Sequence, residues 1–200
     1  MLAAREHAEL IDLMKWIDEN TSGVTLPTDD RTMLATGCFD VAIEYQAAIA
    51  LLCASELYGA ALSLLRVLAE SLVRGLWLLF CASETELQRF KIGRLPKTFD
   101  QLVKEVEGKL GTPEGVLSTF KKAAWVALNG FTHTGFHQVS RRHSPGKVEG
   151  NYPEYEIAKA ICVAGALGLI ASAQVISMSN RQDLLPIFAE RMSNYARSAP

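Results

Sequence analysis

The sequence lacks the features that mark several common classes of protein. Its 200 residues carry a formal net charge of only −2, so no global positive field directs the chain to nucleic acid or to a membrane surface. The four cysteines include no Cys-x-x-Cys pair and lie in apolar helical sequence. We therefore expect buried thiols in a reducing compartment and no disulfide framework.

Several catalytic motifs are also missing. The sequence has no glycine-rich loop that would cradle a phosphate and no Gly-x-Ser-x-Gly nucleophile turn. It has no Glu-x-x-His pair, which the di-metal sites of helical bundles require. The sequence therefore predicts no cofactor and no bound metal, and it leaves open whether the protein is an enzyme.

No secretion signal and no clear membrane span are visible. The first turns, MLAAREHAEL, carry charges and lack the apolar core of a signal peptide. Two stretches approach membrane length, Ala60–Ala82 and Ile157–Met178. The first carries three charges, each of which costs roughly 2.5–3.5 kcal/mol at the centre of a bilayer. We expect both stretches to be buried core helices and the protein to be cytoplasmic.

Apolar residues recur at helical spacing along most of the chain, and no stretch alternates as a strand would. Start and stop signals predict helices at about 3–20, 31–54, 60–82, 84–93, 99–110, 113–133, 153–180 and 182–196. Thr112 and Pro113 are expected to begin the sixth helix, Leu95–Pro96 to break the chain before the fifth, and 134–152 to be irregular. The predicted fold is all-α, a single-domain helical bundle over residues 1–200 with about five long helices and shorter additions.

The stretch Ala60–Ala82 is apolar on most of its circumference, yet it carries three charges. Arg66, Glu70 and Arg74 are spaced four apart, so they stack on one stripe of the helix. A helix that is apolar nearly all round is normally buried, and buried charges need partners. We therefore expect a buried polar centre along this stripe.

The preceding helix offers acidic partners for the stripe. Asp40 and Glu44 are also four apart, and an antiparallel hairpin brings Asp40 level with Arg74. Glu44 then lies level with Glu70, and the two would share Arg66 or a protonated site. A buried ion-pair network that fixes helix register is the simplest interpretation. The alternative is an acid/base or metal site.

Two histidines follow in a later helix. Asn129, His133 and His137 are spaced four apart, but Gly130 and Gly135 disfavour a continuous helix by roughly 1 kcal/mol each. We expect the helix to end near His133, with the imidazole at its C-terminus. Such a histidine is most often a cap or a core hydrogen-bonding group, and two histidines alone make an incomplete zinc site.

A run of cations comes directly after the histidines. Arg141, Arg142 and Lys147 lie with His143 in the predicted irregular stretch, and a second basic stretch covers 89–97. A solvated loop is the usual explanation. The alternative is an anion site for phosphate or an RNA backbone, with arginine as the bidentate ligand.

Three segments together carry a resemblance: Leu64–Val73 (LLRVLAESLV), Leu128–Gly135 (LNGFTHTG) and Arg141–Arg142. The chain resembles uncharacterised bacterial helical proteins that have an Arg-x-x-x-Glu helix and a later His-Thr-Gly segment. These are distantly similar to the HEPN superfamily of helical bundles, many of which are ribonucleases or nucleotide-binding partners of toxin systems. The chain departs from HEPN ribonucleases because no arginine is followed four to six residues later by histidine.

The resemblance implies a binding or accessory protein, dimeric and set in a bacterial defence or toxin–antitoxin locus, whose partner is a protein or RNA. Its polar pocket would be formed by Arg66, Glu70, Asp40, Glu44 and His133. One alternative is a HEPN-like ribonuclease that uses His133 or His137 with a nearby arginine. Another is a metal-dependent hydrolase built on Glu44, Glu70 and His133. If the site is catalytic, we expect His133, Arg66 and Glu70 to act in it.

Overall fold

The computed structural model describes residues 1–95 and 97–198, and most of these residues are helical. Their α-helices are α1 (Leu2–Thr21), α2 (Asp30–Ala54), α3 (Tyr58–Phe80), α4 (Glu84–Lys91), α5 (Phe99–Leu110), α6 (Val116–Thr132), α7 (Phe136–Val139), α8 (Glu154–Met178) and α9 (Leu185–Ser198). Strands β1 (His143–Ser144) and β2 (Lys147–Val148) form a small antiparallel hairpin. The predicted all-α class is confirmed. Pro96, part of the predicted break, lies outside the described residues.

Helices α2 and α3 form the central hairpin of the bundle, as the sequence predicts. The chain turns between them at Glu56, whose φ of 57° is uncommon for a residue other than glycine. Helix α8 packs against α1, α2 and α3. Phe39, Leu72 and Trp77 are among the fully buried side chains of this core, and each contributes roughly 1.5–3 kcal/mol by leaving water. The hairpin and α8 therefore form the centre of the molecule.

Helices α2 and α8 differ in burial although both are strongly apolar. Each contains an 18-residue window that is long and apolar enough to cross a membrane by length and composition. In α8, 61% of that window is buried inside the bundle, as in the core helix of a soluble protein. In α2 only 33% of the window is buried, so much of this apolar helix faces outward.

Helix α6 begins later than the sequence predicts. The expected start at residues 112–113 is wrong, because the chain turns at Glu114 (φ 55°) and the helix begins at Val116. The buried carboxylate of Glu107, in α5, caps the new helix by accepting a hydrogen bond from the Ser118 backbone N–H at 2.9 Å. The Ser118 N–H in the first turn would normally bond to a capping residue next to it in the sequence. Here a carboxylate from a neighbouring helix accepts that hydrogen bond.

The stretch 134–152 is more ordered than the sequence predicts, since it contains α7, a 3-10 turn and the β-hairpin. It packs on the first turn of α3 at Gly59. A Cβ atom built there would lie 2.5 Å from the Tyr152 hydroxyl and 2.8 Å from Nε2 of Gln138. It would also lie 3.0 Å from the Arg142 guanidinium. Glycine at this position therefore allows the loop to rest directly on α3.

Candidate functional site

Arg66 lies at the centre of the candidate site, on the part of α3 that meets α6. Its side chain is 19% exposed, and that of Glu70 is 24% exposed. Nε of Arg66 donates to Oε1 of Glu70 at 3.0 Å, and Nη2 lies 2.9 Å from the same oxygen. The two residues are one helical turn apart, so the helix itself brings them together. The stripe is half-buried at the edge of the bundle, whereas the sequence predicted that it would be enclosed.

His133 joins this pair from α6. It is the C-terminal cap residue, and its backbone N–H donates to the Asn129 carbonyl at 3.0 Å. Nη1 of Arg66 lies 2.5 Å from Nε2 of His133. A guanidinium can only donate, so this contact is a hydrogen bond when Nε2 accepts, in the tautomer that carries its proton on Nδ1. The predicted end of the helix near His133 is confirmed, and the exposed imidazole contacts Arg66.

The end of α6 is held firmly against α3. The Ser63 hydroxyl donates to the Phe131 carbonyl at 2.9 Å. Just past His133, Thr134 adopts a φ of 53°, a conformation that costs a residue other than glycine roughly 1–3 kcal/mol. The N–H of Gly135 then donates to the carbonyl of Gly130 at 2.7 Å. The backbone that carries the imidazole is therefore fixed on both sides.

Trp125 lies eight residues before His133 and also faces Arg66. Its ring stacks on Phe99 with centroids 3.8 Å apart and an interplanar angle of 2°. The guanidinium carbon of Arg66 lies 5.3 Å from the ring centroid, close enough for a cation–π contact. Neither aromatic residue was predicted from the sequence to belong to the site. The available signal is the spacing of Trp125, which places it two turns from His133 on one stripe of α6.

Asn129 lies between Trp125 and His133 on the same stripe. Its Oδ1 atom is buried and accepts no hydrogen bond from the described residues. His137 does not continue the stripe, because α6 ends and His137 belongs to α7. Its ring is exposed and packs on Gly130, where a Cβ atom would lie 2.9 Å from Cδ2 of the imidazole. As expected from a helix that ends near His133, only Asn129 and His133 share this face.

The acids of α2 do not join the cluster. Asp40 and Glu44 are both exposed, and neither forms an ion pair with another described residue. The predicted Asp40–Arg74 pair is therefore wrong, and so is the sharing of Arg66 by Glu44 and Glu70. The two helices run side by side as expected, but both acids lie on the solvent side of α2. Arg74 is half-buried and forms no ion pair within the described ranges.

The residues of the metal-site alternative are not brought together. Glu44 projects into solvent from α2, whereas Glu70 and His133 lie between α3 and α6. Within the part of the chain that the structure describes, no three His, Cys, Asp or Glu side chains converge as metal ligands. A zinc or di-metal site needs at least three such side chains, so this alternative lacks its ligand set.

The three residues of the predicted anion site have different surroundings. Arg141 forms an ion pair with Glu156. Arg142 is exposed, and its guanidinium carbon lies 5.9 Å from the centroid of the Tyr152 ring. Lys147 is exposed on the β-hairpin. Arg142 and Lys147 are therefore open to an external anion, whereas Arg141 already has a partner inside the chain.

A second polar cluster, between α3, α4 and α5, is not foreseen by the sequence analysis. Nζ of Lys97 lies 2.6 and 2.7 Å from the carboxylate oxygens of Glu105 and 3.0 Å from Glu86. Nε1 of the buried Trp77 donates to Glu105 at 2.6 Å. A hydrogen bond from the Ser83 backbone N–H, followed by the ammonium of Lys97, lowers the pKa of Glu86 to about 2. The groups of this cluster satisfy one another.

The four cysteines are free thiols. Cys53 and Cys162 are buried, and Cys38 and Cys81 are half-buried. Burial raises the pKa of the Cys53 thiol to about 11. Burial, together with a hydrogen bond to the carboxylate of Glu6, raises the pKa of the Cys162 thiol to about 12. These thiols are therefore poor nucleophiles at neutral pH.

A protein-family model matches residues 39–200, most of the chain. The chain belongs to DUF6988, a family of unknown function. The DUF6988 match includes all of α3 and α6, and therefore Arg66, Glu70 and His133. The expectation of an uncharacterised family is confirmed. No curated protein and no solved structure matches this DUF6988 chain.

Proposed function

We propose that this DUF6988 protein is a binding module that holds a phosphate group of RNA at Arg66. One observation carries the proposal: a half-buried guanidinium is fixed by Glu70, His133 and Trp125 at an accessible edge of the bundle. Contacts with described residues occupy three of its five N–H groups. Two N–H groups remain to donate to the oxygens of a ligand.

The charges in the cluster favour a ligand that accepts hydrogen bonds in a fixed direction. Arg66 and Glu70 neutralise one another, and the imidazole of His133 is uncharged when it accepts from Arg66. A ligand therefore gains from oriented, charge-assisted hydrogen bonds, and little from a net positive field. Exposed Arg142 and Lys147, in the loop that packs on the same helix, add positive charge suited to a phosphate backbone.

The aromatic residues of the site support phosphate contact without base stacking. Phe99 covers one face of the Trp125 ring, and the Arg66 guanidinium lies over the ring as well. Single-strand binders that stack bases need an open aromatic face. We therefore propose binding with little sequence preference, because phosphate contacts fix position and base contacts supply sequence information.

The biological setting belongs to the same proposal. The resemblance of the Arg-x-x-x-Glu and His-Thr-Gly segments to HEPN-like proteins supports a bacterial defence or toxin–antitoxin locus and a cytoplasmic accessory role. In that role the module would bring RNA, or a protein that carries RNA, to a separate effector.

A direct test is fluorescence anisotropy with a labelled single-stranded RNA of about 12 nucleotides, a length within the range covered by one binding fold. We expect Arg66→Ala and His133→Ala to weaken binding by roughly tenfold, because each change removes part of a charge-assisted contact. The matched control is Arg197→Ala, an exposed arginine on α9 and outside both basic stretches. Absence of binding by the native chain, or an equal loss in the control, would contradict the proposal.

A ribonuclease is the second candidate, because a carboxylate and an imidazole flank one guanidinium. In such a reaction the RNA 2′-hydroxyl attacks the adjacent phosphorus, and one of Glu70 and His133 takes the hydroxyl proton. The other donates a proton to the departing 5′ oxygen, and Arg66 stabilises the charge that develops. The Arg66–His133 hydrogen bond would have to open first.

A denaturing gel of the RNA from the binding experiment separates the two candidates. The binding module leaves the RNA intact. Cleavage that disappears in both His133→Ala and Glu70→Gln would replace the binding module with the ribonuclease.

A further inference from the structure

A cavity of about 490 Å³ lies at one end of the bundle, where the turn between α2 and α3 meets the start of α8. The first turns of α1 form another wall, through Ala3, Ala4 and His7. This volume falls within the roughly 300–1,000 Å³ that small-molecule sites occupy. No residue of the Arg66 cluster lines the cavity, so it is a separate candidate site.

Part of the cavity wall is apolar. Cys53, Ile157 and Ile161 are buried side chains that line it. The ring of Tyr58 also lines the cavity and meets the ring of Tyr152 edge-on, with centroids 5.9 Å apart. Apolar surface of this kind accommodates the hydrocarbon part of a ligand, and the face of an aromatic ring attracts a cation.

The other polar groups of the wall are hydrogen-bond acceptors. Glu56 and Glu154 contribute carboxylates. Oε1 of Glu154 accepts a hydrogen bond from the backbone N–H of Ala3 at 3.2 Å, which holds this side chain against α1. Nε2 of His7 lies 2.9 Å from the Ala50 carbonyl oxygen. This contact is a hydrogen bond when Nε2 donates, which leaves Nδ1 of the neutral ring as an acceptor.

The negative charge of the wall is not balanced by a basic side chain. None of the described residues that line the cavity is a lysine or an arginine. Arg142 packs on Tyr152 but is not part of the wall. Burial, and then the nearby charges of Glu56 and Glu154, raises the pKa of the Tyr58 hydroxyl, so both carboxylates lie near this ring. The cavity therefore favours a positively charged ligand with an apolar part.

The backbone of Glu56 points to the same conclusion. Its φ of 57° is uncommon for a residue other than glycine, and its side chain forms no hydrogen bond or ion pair with the rest of the described chain. Glu114 has a similar φ of 55°, but its carboxylate contacts Nζ of Lys122 at 3.0 Å. Residues held in such conformations are frequent at ligand-binding positions. A cationic ligand would supply the partner that the Glu56 carboxylate lacks.

We propose that this cavity binds an organic amine, with its ammonium group at Glu56 and Glu154 and its hydrocarbon part against Ile157 and Ile161. A primary ammonium group has three N–H donors, which match the acceptors of the wall and form charge-assisted hydrogen bonds with the carboxylates. The same carboxylates repel an anion. This function goes beyond the binding of RNA at Arg66, from which it differs in both place and charge.

An NMR titration of the isotope-labelled full chain with phenethylamine, which is cationic at neutral pH, tests the proposal. Phenylacetate and 2-phenylethanol carry the same ring with a negative charge and with no charge. We expect phenethylamine to bind at least roughly tenfold more tightly than 2-phenylethanol, because the alcohol lacks the charge-assisted hydrogen bonds. Phenylacetate should not bind. Absence of amine binding, or equal binding of the three probes, would overturn the proposal.

Three variants locate the bound amine. Glu56→Gln keeps the shape of the side chain and removes its charge, so the affinity for phenethylamine should fall roughly tenfold. Glu114→Gln is the matched control, because this glutamate has the same backbone conformation and lies outside the cavity. It should leave the affinity unchanged. Ala54→Trp places a large ring at an exposed position of the wall and should abolish binding, with circular dichroism as the check on folding.

The outcomes of these variants are independent of the proposed function. Amine binding that persists at native affinity in Glu56→Gln, or in a folded Ala54→Trp, would overturn the site. RNA binding should be the same in all three variants, because none of the substitutions touches the Arg66 cluster. A failure of the amine site therefore leaves the RNA proposal standing, and the reverse is also true.

Discussion

The polar clusters around Lys97 and Arg66 both contact α3 and contain similar residues, but they differ in how fully their hydrogen-bonding groups are paired. In one, Lys97 contacts Glu86 and Glu105, and the buried Trp77 donates to Glu105 as well. In the other, two N–H groups of Arg66 remain without partners among the described residues. The first cluster is closed, since its groups satisfy one another. The second is open, and open polar groups at a protein edge are where a ligand can add contacts.

A buried polar atom without a hydrogen-bond partner among the described residues also distinguishes the two clusters. Oδ1 of Asn129 is buried beside the open cluster and accepts no hydrogen bond from a described residue. Buried polar atoms almost always have partners, so an exception needs a reason. A ligand or a bound water that donates to Asn129 would supply one. If the proposed function is right, the Lys97 cluster contributes stability and the Arg66 cluster contributes binding, and each role can be tested.

The largest expected difference in the free energy of unfolding is between Trp77→Ala and Trp125→Ala. Trp77→Ala removes a fully buried ring and leaves a cavity, so we expect the free energy of unfolding to fall by about 3–5 kcal/mol. Trp125→Ala removes a half-buried ring and should cost clearly less, but it should weaken RNA binding because Arg66 loses a support. Urea denaturation and anisotropy measure the two effects. Equal destabilisation by both changes would contradict the contrast.

A smaller difference in stability is expected between changes at Glu105, which contacts Lys97, and at Glu70, which contacts Arg66. Glu105→Ala leaves Nε1 of Trp77 without its acceptor, so we expect a loss of about 1–3 kcal/mol and unchanged RNA binding. Glu70→Ala should cost less than about 1 kcal/mol, because its ion pair is partly solvated. Its effect should appear in RNA binding, since Arg66 loses orientation. If Glu70→Ala proves the more destabilising of the two, the open cluster is a structural one.

The smallest effect is a pH dependence of the closed cluster. The folded-state pKa of Glu86, about 2, lies below its ordinary value of 4.5. The ionised carboxylate therefore contributes stability that is fully present above about pH 4.5 and is lost as pH falls toward 2. The difference in unfolding free energy between native protein and Glu86→Gln should shrink over that window. If that difference stays constant from pH 7 to pH 2, the ionised carboxylate of Glu86 does not stabilise the fold through its charge.

Local features of the fold were predictable from the sequence. Ser83 and Thr98 each form a capping box with a residue three positions later, and both helix starts follow the predicted signals. The Arg66–Glu70 pair follows from spacing alone, because residues four apart on a helix are neighbours. The end of α6 near His133 was predicted from Gly130 and Gly135, because both disfavour a longer helix.

Features that depend on contacts between helices were not predictable. The cap of α6 comes from Glu107, eleven residues before the N–H that it accepts from, so local sequence suggested a different start. The acids Asp40 and Glu44 were placed on the wrong side of α2. Apolar residues lie on every side of that helix, so its pattern does not say which side faces α3. The stack of Phe99 on Trp125 joins α5 to α6 and has no local signal.

The packing of the loop on Gly59 places Arg142 beside α3, the helix that carries Arg66. Arg142 rests over Gly59, and Arg66 lies seven residues further along the same helix, which is about 10 Å at 1.5 Å per residue. A ligand that follows α3 from Gly59 to Arg66 would have to extend over nearly two helical turns, as a chain of linked phosphates could.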